Sequence, residues 1–165
     1  MIKKLIIILT ITFSIFACQS KKGNFSVITP KNWIVKDTVD KDHERFIKMH
    51  APINSSVPVF VENINIGIMH STIILDYAKG VIDGIRKKAI YFEEKGSGSI
   101  KVNKYKAEWE HHIIQLDNNS DIIEQIIYFI NDHGSIYQIV CSARANELQN
   151  IKKEIDTVLN SFSIL

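Results

Sequence analysis

Three apolar runs in close succession, between Lys101 and Arg144, constrain this chain more than any other stretch. They read KVNKYKAEWEHHIIQLD, DIIEQIIYFI and SIYQIVCSAR, separated by NNS and NDHG. The connectors are built from Asn, Asp, Ser and Gly, the usual turn residues. The runs are rich in Ile, Val, Tyr, Phe and Trp, which suit a pleated surface. Connections this short force neighbouring strands to pair antiparallel, as a meander. In the middle run Ile126, Tyr128 and Ile130 share one face, and Ile127 and Phe129 the other. A strand apolar on both faces needs cover on both faces. The preceding strand carries Glu108, Glu110 and His112 on one face and Trp109, His111 and Ile113 on the other, which places it nearer the edge or leaves it uncovered on one side.

The 165 residues amount to one domain, with 45% hydrophobic and 23% charged side chains. Formal net charge is +2. Lys3 and Lys4 account for that excess, so residues 18–165 are neutral overall, a balance that argues against nucleic acid as a partner. A chain of this size buries enough surface to fold without a metal or disulfide.

The first residues form a separate unit. A short basic start, Met1 to Lys4, precedes an apolar and hydroxyl run from Leu5 to Phe16, then Ala17 and Cys18. The run is too short to cross a bilayer, which takes about 20 residues. It fits a secretory leader. A cysteine directly after a small residue resembles a bacterial lipoprotein signal. That resemblance implies residues 1–17 as leader, Cys18 as lipidation site and new N-terminus, and residues 18–24 as a lipidated tether. It also implies an envelope location: the periplasmic face of the outer membrane in a Gram-negative cell, otherwise the outer face of the cell membrane. Cys141 is then left alone, without a partner for an internal disulfide. Within IYQIVCSA it reads as a small buried hydrophobe rather than a nucleophile.

Residues 25–165 form the domain. Phe25 to Ile28 reads as a strand, broken at Pro30 and Asn32. Trp33 to Asp37 continues it, and Asp37 to Glu44 reads as a charged loop. Arg45 to Ala51 and Val59 to His70 alternate as strands with one wet face. Thr72 to Tyr91 has helical spacing, with Leu75, Ala78, Ile82, Ile85 and Ala89 on one side. Gly80 and Gly84 inside it suggest close packing on a sheet, or a thinned helix above a pocket. The GSGS segment, Gly96 to Ser99, lacks the Lys-Ser/Thr of a phosphate loop and reads as a flexible hairpin segment. A second helix, Asn146 to Phe162, has Asn146 as its N-cap and an apolar stripe from Leu148 to Phe162.

This order of elements resembles the PsbP-like superfamily, which includes the DcrB-like bacterial proteins. The residues that carry the resemblance are FSVITPKNW (Phe25 to Trp33), LDYAKG (Leu75 to Gly80), VNKYKAEW (Val102 to Trp109), YFINDHGSIYQIVCSA (Tyr128 to Ala143) and the closing NSF (Asn160 to Phe162). The chain departs from relatives at Lys104, where a turn glycine is frequent. The resemblance implies an α+β fold, an antiparallel β-sheet flanked by helices as an α/β/α sandwich. It also implies a family of photosystem subunits, envelope lipoproteins and adaptors or chaperones, few of them enzymes, and it transfers no catalytic residue and no cofactor.

The residues themselves leave three readings. One is a non-catalytic domain that binds a protein partner at the membrane, through the face around Glu108 to His112 and the loops Asp37 to Glu44 and Asp117 to Asp121. A second is a carrier of a small apolar ligand or lipid in a pocket between helix and sheet. A third is a metal-dependent hydrolase on the His112 face, with Glu108 and Glu110, completed by Glu124 or His133. His111 and His112 point to opposite faces and cannot share one ion. The sequence contains no nucleophile elbow, zinc-protease motif, paired-cysteine spacing or Walker motif.

Overall fold

The computed structural model describes residues 24–39, 45–52, 60–70 and 77–165. Cys18, the tether up to Gly23 and most of the Asp37 to Glu44 segment lie outside these residues.

Seven antiparallel strands form one sheet in the order β2-β3-β4-β8-β7-β6-β5. They are β2 (Ile34–Val39), β3 (Arg45–His50), β4 (Asn63–His70), β5 (Tyr91–Val102), β6 (Tyr105–Gln115), β7 (Ile123–Asp132) and β8 (Ser135–Arg144). The expected meander is there, with one more member. The GSGS segment is not a flexible hairpin piece but the centre of β5, which pairs with β6 along its length. Gly98 is required because the Trp109 ring lies over it: a Cβ there would sit 3.1 Å from the indole Nε1. Gly96, at φ 152°, takes up a bulge after Glu94. The smallness of this stretch thus seats an aromatic ring. The edge strand is β5, and β6 lies one place inside it.

Two tight turns fix the register of the meander. His133 and Gly134 both have positive φ, 48° and 86°, the primed geometry that matches strand twist. At the β5–β6 turn the positive φ falls on Asn103 (52°) rather than Lys104. The absent glycine therefore costs little, since Asn tolerates that conformation.

Helices cover both faces. Helix α1 (Tyr77–Lys88) carries the chain from β4, in the middle of the sheet, to β5 at its edge. Its Ile82 packs with Ile127, Phe129 and Ile136, and Phe92 joins from β5. Residues 72–76 of the expected helix lie outside the described set. Ala89 still bonds back to Ile85, but the Ile90 N–H already donates to Gln115 in β6, so the helix ends there. A Cβ on Gly80 or Gly84 would meet nothing within 4 Å; these glycines face away from the sheet and neither permit close packing nor thin the helix over a pocket.

On the other face, a 3-10 turn (Leu148–Ile151) leads into α2 (Lys152–Ser161). Ile155, Val158, Leu159 and Phe162 pack on Ile64, Ile66, Tyr128, Ile130, Tyr137 and Ile139. Asn146 does not cap this helix. It adopts φ 68° in the turn ahead of it. β7 is accordingly enclosed from both sides, Ile127 and Ile130 being 1% and 0% exposed.

A two-stranded ribbon joins the ends of the domain: β1 (Phe25–Ser26) pairs with β9 (Ser163–Ile164). Only these two residues of the expected first strand pair as a strand. Phe25 is fully buried, stacks on Phe162 at 5.7 Å and meets Tyr137 edge-on at 6.2 Å. The Arg45 guanidinium lies 5.0 Å above the same ring, donates to the Phe25 carbonyl and pairs with Asp37. Asp37 to Val39 belong to β2, so the charged loop begins later than its composition suggests.

Candidate functional site

The residues proposed from sequence do not converge. His112 is 1% exposed rather than solvated. Its ring stacks on Phe92 at 5.4 Å, and its Nε2 lies 3.2 Å from Gln125 Oε1. Gln125 in turn donates to Ser142. Glu108 and Glu110 do share its face, but Glu124 does not, and His133 sits in the turn at the opposite end of the sheet. Among the described residues no group of three or more His, Cys, Asp or Glu side chains could hold a metal. Cys141 is fully buried, as expected, and burial pushes its thiol pKa well up. Both groups serve packing.

The polar cluster that the fold assembles is on the other face, between β6–β7 and the C-terminal helix. The β6–β7 register sets His111 opposite Ile126, and Ile113 opposite Glu124. His111 and Glu124 are therefore diagonal neighbours on one face, within reach of long side chains. Their Nε2···Oε1 distance is 2.8 Å. The second Glu124 oxygen accepts the backbone N–H groups of Asn146 (2.9 Å) and Leu148 (3.4 Å). This carboxylate thus ties the turn before the helix to the sheet and holds the imidazole in place.

Around this pair lies a cleft of about 340 Å³. Ile126, Leu148 and Ile155 give it an apolar floor, and Lys152 and Asp156 form an i,i+4 ion pair at its rim. Tyr128 lines it and is 7% exposed. Burial, reinforced by the Asp156 carboxylate, pushes the Tyr128 hydroxyl pKa well above that of a free phenol. A second cavity of about 280 Å³ lies where the sequence put one, between the first helix and the sheet. It sits at the Tyr77–Ala78 end against Lys106, Glu108, Phe129 and Asn131, away from the two glycines.

No protein-family model and no curated protein matches the sequence. Solved structures do. LpqN of Mycobacterium tuberculosis, described as involved in cell envelope biogenesis, superposes over 88% of this chain and 87% of its own, with a TM-score of 0.60 and 11% identity. PA94 of Pseudomonas aeruginosa, a protein of unknown function, superposes over 82% of this chain and 95% of its own, with a TM-score of 0.52 and 13% identity. The domain shares its fold, an antiparallel sheet flanked by helices, with these two proteins. Cyanobacterial PsbP from Synechocystis overlaps 79% of this chain and 92% of its own more loosely, at a TM-score of 0.47 and 15% identity. At such identities the likeness concerns the fold alone and carries no site residue with it.

Glu124, expected beside His112, instead meets His111, because the β6–β7 register puts it on the opposite face. The signal was present: Glu124 shares its face with Ile126 and Tyr128, and the short β6–β7 connection sets that face against the odd-numbered residues of β6. Tyr128, Asn146, Lys152 and Asp156 had no such signal, because a turn and a helix distant in sequence bring them together.

Proposed function

We propose that the protein is a lipid-anchored envelope protein whose PsbP-like domain binds a protein partner and does no chemistry of its own. The observation that carries this reading is the junction of leader and fold: Ala17 and Cys18, a short polar stretch, then the fully buried Phe25. An acylated Cys18, carrying more than one chain, is a sufficient anchor. No helix among the described residues is long and apolar enough to cross a membrane. The role of LpqN in envelope biogenesis is in keeping with this setting.

The junction also orients the domain. Six links separate Cys18 from Asn24, a span of about 20 Å at full extension. The strands β5 to β7 are longer, about 35 Å for one the length of β6. The end that holds Asn24, Leu165 and the Asn103 turn therefore lies beside the bilayer. The opposite end carries the Asp117–Asp121 loop, flanked by exposed Leu116 (47%) and Ile122 (44%). That end is open to a partner. The His112 reading of a metal hydrolase finds no ligand set among the described residues, whereas the carrier reading has the cavity under the Tyr77–Ala78 end of α1 as its one specific observation.

Cys18→Ser tests the proposal. The wild-type protein should incorporate labelled palmitate and fractionate with membranes, and the variant should do neither. A photo-crosslinker at Leu116 should capture a discrete partner, while one at Lys104 should capture lipid. Wild-type protein that is soluble and free of fatty acid would overturn the anchor.

A further inference from the structure

We infer that the cleft between β7 and α2 binds a protonated primary amine carried on an aliphatic stem. Its size, about 340 Å³, lies at the small end of ligand sites, which run from roughly 300 to 1,000 Å³. Its floor of Ile126, Leu148 and Ile155 suits methylene groups. The Tyr128 hydroxyl makes no hydrogen bond to any described residue, although the residue is 7% exposed. The hydroxyl itself is not sealed from solvent, so a ligand in the cleft can reach and pair it.

Charge decides the class. Two carboxylates, Glu124 and Asp156, line the cleft against a single ammonium, Lys152. Both Glu124 oxygens are already engaged, by His111 and by the turn N–H groups. Asp156 holds only Lys152, in an ion pair whose side chains are 47% and 56% exposed respectively. Pairs this open contribute little. An incoming ammonium, with three donors, can take the place of Lys152 on Asp156 and donate to the Tyr128 oxygen. A carboxylate ligand would instead meet two like charges. The amine could be the lysine side chain of a protein partner or a free small amine, and both have the same chemistry. This inference does not depend on the lipid anchor.

The test is a ¹H–¹⁵N NMR titration of the full chain in mild detergent with n-pentylamine, pentanoate and N-acetyl-lysine methylamide, at millimolar concentrations. Pentylamine should shift residues 111, 124–128 and 146–156, and pentanoate should not. Asp156→Asn and Tyr128→Phe should each weaken amine binding about tenfold, the effect of losing one charged or buried hydrogen bond. Lys152→Gln should tighten it by removing the competing ammonium, an outcome that a purely structural role would not produce. Tighter binding of the lysine derivative would assign the cleft to a partner's lysine, and tighter binding of pentylamine to a free amine. Equal shifts with pentanoate, no shift with either amine, or an unchanged affinity in Lys152→Gln would overturn the inference.

Discussion

Stability of this domain should fall with pH through the range where an exposed histidine titrates, and His112 should be the cause. The Gln125 amide nitrogen is turned toward Ser142 Oγ (2.9 Å), so its oxygen receives the proton on His112 Nε2. Nδ1 is then a bare, enclosed nitrogen with no partner among the described residues. A second proton there would place a charge, and a donor without an acceptor, in a site 1% exposed. Burial accordingly holds the folded-state pKa below the ordinary 6.5, only partly offset by the Gln125 contact. Above the unfolded-state pKa both states are neutral and stability is at its plateau. Below it the unfolded chain takes up a proton that the folded one refuses. Stability therefore declines as pH falls, by at most about 1.4 kcal/mol per pH unit, until the folded-state pKa is reached. For a domain of this size that corresponds to about 3 °C in Tm per kcal/mol. Glu94 and Arg86 border the site, and Glu110 shares its face. Burial raises the Glu110 carboxyl pKa, which acts in the opposite sense; Glu110 is present in both proteins compared below, so its contribution cancels in the difference. Urea unfolding of wild type and His112→Phe between about pH 7.5 and pH 5.5 checks this, since the unperturbed histidine pKa lies between them. The variant retains the stack on Phe92 and should lose one proton's worth of slope, whatever its absolute stability. Parallel pH profiles for the two proteins would refute the reasoning.

Further expectations concern glycines, the ribbon and the thiol. Gly80→Ala, in open space on α1, should stabilise by about 0.5–1 kcal/mol through helix propensity, while Gly98→Ala, whose Cβ would press on Trp109, should cost about 1–3 kcal/mol. Urea midpoints with opposite signs would support this; equal signs would not. Asp37→Asn should cost under about 1 kcal/mol, since the pair is partly exposed. Arg45→Met should cost more, about 2 kcal/mol, because it also frees the Phe25 carbonyl and the Phe25 ring. Arg45 holds the Asp37 carboxyl below its ordinary 3.8, so the pair's contribution is present above that pH and lost as pH falls through the lower folded value; wild type and Asp37→Asn should therefore converge in strong acid. Cys141, fully buried with its thiol pKa raised, should resist aromatic disulfide reagents in native protein and react once unfolded in urea; fast native labelling would contradict its enclosure.

Much of the architecture is legible along the chain because it is local. The alternation in β6, β7 and β8, the turn residues between them and the apolar stripe from Leu148 to Phe162 all act over a few residues. That β7 needs cover on both faces follows from Ile126 to Ile130 alone. The errors share a cause. Gly96 to Ser99 looks like a linker until the Trp109 ring is placed over it. Gly80 and Gly84 look like a packing device until the rotation of the helix about its axis is known. Glu108, Glu110 and His112 look like a wet face until Phe92 covers the histidine.

Local patterning in the sequence determined the antiparallel meander, the apolar stripes of the covering helices, the buried Cys141 and the leader-like start. Periodicity and turn chemistry act between near neighbours, and they are written residue by residue. Only the tertiary structure decided that β5 forms the edge, that His111 rather than His112 meets Glu124, and that Tyr128 and Asp156 border one cleft. Each of these depends on register and on long-range docking: a shift of one residue along a strand exchanges its faces, and no short stretch of sequence records where a helix some twenty residues away will come to rest.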